Sequence, residues 1–219
     1  MGLEMFADEP SGNHNVVCFA IGSYLHEWAD CISSQRRYCD ANSYNYHLVT
    51  EPYGKLHPKW QKFEFVRDLL QQSKADVFLV DADAEVTASA PKFHKVIENS
   101  PKADIFCALG RSKRPNSGVI LFRGGKGSRS IEFLTDCLDA RDMSLPKSDF
   151  VTKEGENGHF IFFLKQQKYA ERLKLLDRAW NNTDPPPRPD DFVIHYNAGP
   201  MRRFRINALR RSSSTPSAQ

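Results

Sequence analysis

Short apolar runs alternate along this chain with segments of helical periodicity, and that alternation is its tightest constraint on fold. Val16-Val17-Cys18-Phe19-Ala20-Ile21 is continuously apolar and ends at Gly22-Ser23, as expected of a strand buried on both faces. A helix is predicted over 27–42, a strand over 47–50, and a helix over 60–73 with Phe63, Val66, Leu69 and Leu70 on one stripe. Val77-Phe78-Leu79-Val80 is a third buried strand. Beyond it the pattern predicts a short helix over 90–99 opened by Pro91, strands at 105–109 and 119–122, and helices over 130–142 and 158–167. Late strands fall at 174–176 and 192–195. The expected fold is an α/β domain with a mainly parallel central sheet flanked by helices, in which the 119–122 strand can run antiparallel.

A chain of 219 residues has room for one sizeable domain and its core. Residues 16–207 are assigned to that domain, 1–15 to a mixed, acidic N-terminal extension, and 208–219 to a polar, disordered tail. The prolines between Asp184 and Pro189 read as a stiff connector inside the domain. A formal net charge of only +3 gives no reason to invoke nucleic acid. No run approaches the ~20 apolar residues of a membrane span. The five cysteines are scattered without a C-x-x-C pair, which suits reduced, packed thiols and a cytoplasmic setting rather than a disulfide framework or a zinc site.

Chemistry concentrates first at the end of the third strand. Asp81 and Asp83 follow four apolar residues that pin their position, with one small residue between them. In open α/β sheets ligands bind beyond the carboxyl ends of strands. Two carboxylates there suit Mg²⁺ or Mn²⁺, whose remaining ligands can be water and phosphate. Alone, the same triplet also fits an ordinary strand-end turn. Gly199 permits close backbone approach, and Arg202 or Arg203 can offer charge-assisted bonds to phosphates. The same arginines, with Arg205, equally describe a solvated basic strip.

Read in order, His57-Pro58-Lys59-Trp60-Gln61-Lys62, Val80-Asp81-Ala82-Asp83, Asn116-Ser117-Gly118-Val119, Glu156-Asn157-Gly158 and Val193-Ile194-His195 with Ala198-Gly199 form a series. It resembles the DXD-type glycosyltransferases of the GT-A fold, nearest in motif order to the retaining galactosyl- and xylosyltransferases of yeast and plants. Those carry H-P-x-W-x-K, D-x-D, N-x-G-V, an acidic-amide pair and H-F-A-G, and the resemblance covers roughly residues 16–205. It implies that Asp81 approaches the ribose and the metal, that Asp83 is the firmer metal ligand, and that His195 is the third. It implies further that Gly22 and Tyr24 hold the nucleobase end, that Lys62 faces the donor, and that Asn116 touches donor-sugar hydroxyls. Glu156 and Asn157 match the pair near the anomeric carbon, where a carboxylate or amide oxygen stabilises positive charge. Two departures stand out. Glu-Asn replaces the usual Asp-Gln, and His195-Tyr196-Asn197-Ala198-Gly199 is one residue longer than H-F-A-G.

The resulting expectation is a metal-dependent glycosyltransferase using Mn²⁺ or Mg²⁺. It would move a sugar from a nucleoside diphosphate donor, UDP-linked, to a glycan or glycoprotein hydroxyl, with retention. An inverting enzyme of the same fold would need a general base, for which Asp149 and Glu156 are candidates. A nucleotidyltransferase would show a glycine-rich basic loop after the first strand, and Gly22-Ser23-Tyr24-Leu25 is not one. An inactive nucleotide-sugar-binding domain would not need Asp81, Asp83 and His195 together.

Overall fold

The computed structural model describes residues 14–149, 155–197 and 199–213. Its order is β1 (His14–Phe19), α1 (Tyr24–Glu27), α2 (Ala29–Asn42), β2 (Asn45–Val49), α3 (Pro58–Ser73), β3 (Asp76–Val80), β4 (Ala84–Val86) and α4 (Phe93–Glu98). Then come β5 (Ile105–Leu109), β6 (Pro115–Phe122), α5 (Ser130–Asp139), α6 (Asn157–Leu164), α7 (Gln167–Ala170), β7 (Leu173–Leu175), a 3-10 helix (Arg178–Asn181), β8 (Val193–His195) and α8 (Pro200–Ser213).

The main sheet runs β2-β1-β3-β6-β5-β7. β1 is parallel to β2 and to β3, and β5 is parallel to β7; β6 lies antiparallel between β3 and β5. The mainly parallel α/β expectation is met, antiparallel strand included. A second, two-stranded sheet pairs β4 with β8 in antiparallel register, Ala84 opposite His195.

Strand alternation divides the core. Phe78 and Val80 of β3 pack with Trp28, Tyr38 and Phe93 on one face of the sheet. Val77 and Leu79 pack with Phe63, Val66, Leu70, Phe133 and Phe160 on the other. The period of two therefore sends Asp81, the next odd position, towards the face covered by α3. That helix begins two residues before the predicted start at 60: Pro58 sits in the first turn, and the His57 side chain accepts the Lys59 amide N–H at 3.3 Å.

Several boundaries move. β1 starts at His14 and ends at Phe19, so Ala20-Ile21 leads out of the sheet. The first predicted helix is two, α1 and α2, joined at Trp28. β6 is longer than expected because Asn116-Ser117-Gly118 belongs to the strand rather than to a turn before it. The tail expected from residue 208 is helical as far as Ser213, within α8. Arg205 holds that helix down: it bonds Asp30 at 2.6 Å and stacks over Trp28 and Tyr196, 4.4 and 4.9 Å from their ring centroids. Most of the predicted N-terminal extension, Ala198, and the tail beyond Ser213 lie outside the described residues. All five cysteines are free and buried, and desolvation pushes the Cys31, Cys39 and Cys107 thiols up to about 12. No helix among the described residues is long and apolar enough to cross a membrane.

Candidate metal centre and donor cleft

Backbone pairing assembles the site before any side chain is considered. The Asp81 amide donates to Gly118 O at 2.8 Å, extending the β3–β6 ladder one residue past β3. The chain then turns, with the Ala84 amide bonded to Asp81 O at 3.0 Å, and enters β4. Pairing of β4 with β8 lays His195 across from Ala84, and the Tyr196 amide donates to Asp83 O at 2.8 Å. From α2, the fully buried Gln35 donates to Asp81 O and Ala84 O at 3.0 and 2.7 Å, with its own oxygen held by the Tyr46 hydroxyl at 2.8 Å. The turn carrying both aspartates is pinned on every side.

Ligand atoms of Asp81, Asp83 and His195 consequently lie within 4.8 Å of one another. His195 Nε2 is 3.2 Å from Asp83 Oδ1 and 3.9 Å from Asp81 Oδ2. Two carboxylates and one imidazole form a hard-to-borderline donor set suited to Mn²⁺ or Mg²⁺. Close approach of β6 is needed to bring the three together. A Cβ on Gly118 would overlap His195 Cε1 and stand 2.8 Å from Asp81 Oδ2, so only glycine lets β6 pass this close.

Electrostatics point the same way. Burial alone would lower the His195 pKa, but the charge of Asp83, its hydrogen bond and the charge of Asp81 together raise it. Burial likewise works against the Asp83 carboxylate, and His195 more than offsets it, so that its pKa falls. Asp81 goes the other way: burial raises it, Lys62 opposes, and the Asp83 charge adds to the rise. The two carboxylates thus favour the charged form of the imidazole, against the cost of its burial.

Lys62 sits beneath the centre. Its ammonium is buried, 2.9 Å from Asp81 Oδ1, 2.8 Å from Glu156 Oε1 and 3.1 Å from Ser117 O. Desolvation penalises that charge, yet the two carboxylates keep its pKa raised. Lys62 faces the site, but its hydrogen bonds are committed to the protein. Glu156 and Asn157 have the same character: Glu156 Oε1 accepts the Ser117 hydroxyl at 2.7 Å, and Asn157 Oδ1 accepts the Ser117 amide at 2.7 Å. The pair braces β6 from the N-terminus of α6. Asn116 Oδ1 accepts the Gly118 amide at 3.0 Å and an Asn181 amide hydrogen at 2.9 Å.

A cleft of about 380 Å³ opens above Asp81 and Asp83, lined also by Phe19, Ile21, Tyr24, His57, Lys59 and Lys62. Tyr24, 42% exposed, presents its ring there, and the preceding Gly22 takes a φ of +67° that turns the chain out of β1. Gly199 has a φ of +108° just after the His195 segment. Two predicted residues are placed elsewhere. Arg202 pairs with Glu27 at 3.3 Å and lies over Trp28, fastening α8 to α1 and α2. Asp149 is buried and ion-paired to Lys165, among the residues leading to α6.

Three residues that build the centre are absent from the sequence reading: Gln35, Gly118 as a steric necessity, and Asn181, whose Oδ1 is 2.9 Å from His195 Nδ1. Gln35 is legible in retrospect as a polar residue on the buried stripe of α2 with Cys31, Ile32, Tyr38 and Cys39. Asn181 carries no such signal.

This sheet order, with a carboxylate pair at the end of β3 and a histidine delivered by a small second sheet, is that of a GT-A-like fold. Solved structures share it. A glycosyltransferase involved in the glycosylation of the major capsid of PBCV-1 aligns with a TM-score of 0.64 at 12% identity, over 90% of this chain and 98% of that one. The glycosyltransferase GlyE of Streptococcus pneumoniae TIGR4 aligns with a TM-score of 0.57 at 12% identity, over 94% of this chain and 65% of GlyE, so this chain spans less than two thirds of that length. No protein-family model and no curated protein matches the sequence.

Proposed function

We propose that this protein is a metal-dependent glycosyltransferase that moves a sugar from a nucleoside diphosphate sugar, UDP-linked, to a hydroxyl of a glycan acceptor. The observation that carries the reading is the convergence of Asp81, Asp83 and His195 within 4.8 Å, with the two aspartates lining a cleft beyond the carboxyl end of a central strand. Asp81, Asp83 and His195 would hold a divalent cation, which would supply Lewis-acid stabilisation of a leaving diphosphate. The protein's own groups do the rest. Tyr24, with Phe19 and Ile21 beside it, offers an aromatic and apolar wall for a nucleobase. Lys59 is the exposed cation on the cleft wall suited to a phosphate, in place of Arg202. Lys62 neutralises Asp81 and Glu156 so that the acidic floor stays folded when no ligand is bound.

Retention rests on the motif resemblance, and the two candidate bases of an inverting enzyme are each engaged within the protein. Asp149 is bound to Lys165, while Glu156 is shared by Lys62 and the Ser117 hydroxyl.

A panel of UDP-, GDP- and dTDP-sugars, incubated without acceptor, tests the reading. Hydrolysis of one nucleotide class that needs Mn²⁺ or Mg²⁺ and stops in EDTA is the expected result. Turnover of none, or turnover indifferent to EDTA, would remove the assignment.

A further inference from the structure

We infer that Asn181 is a positioning residue that fixes the tautomer of His195, through a hydrogen-bond relay beginning at the backbone of β6. The inference rests on the metal-site reading above and adds how the imidazole is prepared for it. The relay starts from a group whose polarity is not in question. The buried amide of Gly118 can only donate, and its partner is Asn116 at 3.0 Å. Asn116 must therefore turn its oxygen inward. That oxygen also lies 2.9 Å from Asn181, which must present its NH₂. The Asn181 oxygen is then aimed at His195 Nδ1, 2.9 Å away, so Nδ1 carries the hydrogen. Nε2 is left with its lone pair directed at the space shared with Asp83 and Asp81.

A competing pull exists. With no cation bound, Asp83 would accept a hydrogen from Nε2 at 3.2 Å, a charge-assisted bond. Moving the neutral ring's hydrogen there would turn both amides over and set the Asn116 NH₂ against the Gly118 N–H. A buried backbone donor would be orphaned. The relay thus resists the tautomer that would block the metal. Its members are held firmly: Asn181 is fully buried at the end of the 3-10 helix capped by Asp177, and the His195 amide bonds Asn182 O at 2.9 Å. Ligating histidines are commonly oriented through their second nitrogen in this manner.

Long-range ¹H–¹⁵N correlation spectra of the metal-free full chain at alkaline pH read the tautomer directly, with His195→Gln giving the assignment. The expected neutral His195 carries its hydrogen on Nδ1. In Asn181→Leu the hydrogen moves wholly or partly to Nε2, and Mn²⁺ binds about 10- to 100-fold more weakly. Asn116→Leu, which breaks the relay one step earlier, shifts both readouts the same way by less. A hydrogen on Nε2 in the unaltered protein, or unchanged tautomer and Mn²⁺ affinity in the variants, would overturn the inference. The first criterion stands even where a variant fails to fold. Should the unaltered chain show the Nδ1–H form yet bind no Mn²⁺, the tautomer assignment survives and the functional reading fails instead.

Discussion

At the scale of the residue, the proposed function makes His195 the place where a proton and a metal ion would compete for one lone pair. Its folded pKa is raised above the usual value near ~6.5, with burial opposed and outweighed by Asp83 and Asp81. The sign of the stability effect follows. The protonated ring gains from Asp83 in the folded state, so the contribution is fully present below the unfolded pKa and is lost as pH rises through the raised folded value. In EDTA, the melting temperature of the metal-free protein should therefore decline across that window, and His195→Gln should flatten this component. In excess Mn²⁺ the trend reverses, because ligation requires the neutral ring and adds binding energy as pH rises. Thermal scans from pH 5 to above neutrality, with and without Mn²⁺, check both slopes; identical slopes in the two conditions would return His195 to an ordinary core role.

At the scale of the element, β6 organises the centre. One strand supplies the Gly118 carbonyl that extends β3, the Asn116 side chain that starts the relay, and the Ser117 groups that engage Lys62, Glu156 and Asn157. Gly118→Ala would drive a methyl into His195 and Asp81, between backbones fixed by pairing on both sides. A loss of about 1–3 kcal/mol of stability is expected from such overpacking, together with most of the Mn²⁺ affinity. Chemical denaturation and Mn²⁺ titration measure the two, and retained affinity would mean that His195 need not approach β6. Much of this element was legible beforehand, since Val119-Ile120-Leu121-Phe122 is an unmistakable buried run. Its first half was not, because Asn-Ser-Gly reads locally as a turn and becomes strand only by pairing with β3 and β5. The same limit explains Asn181 and Arg202. Asn181 owes its place to the parallel bridge between Asn182 and Ile194, and Arg202 pairs with Glu27 from a helix that its polar sequence did not announce.

At the scale of the whole molecule, the sheet and its two packed faces hold one carboxylate turn rigid at the carboxyl end of the central strand β3, while the β4–β8 pair brings a residue from more than a hundred positions away onto it. The order of the main-sheet strands and the helices between them, and the Asp81, Asp83 and His195 triad, could be read from pattern and motif, whereas β4 and α8 could not. The braces around the triad depend on contacts between distant segments and could not. The account stands or falls on whether those three residues bind a nucleoside diphosphate through a cation. Calorimetric titration of UDP into the full chain, in Mn²⁺ and in EDTA, asks this most directly, with Asp83→Ala as the partner experiment. The account predicts binding in Mn²⁺ that weakens by about 100-fold or more in EDTA, and an Asp83→Ala protein that stays folded but has lost the difference. Equal UDP affinity with and without the metal in the unaltered protein would contradict it.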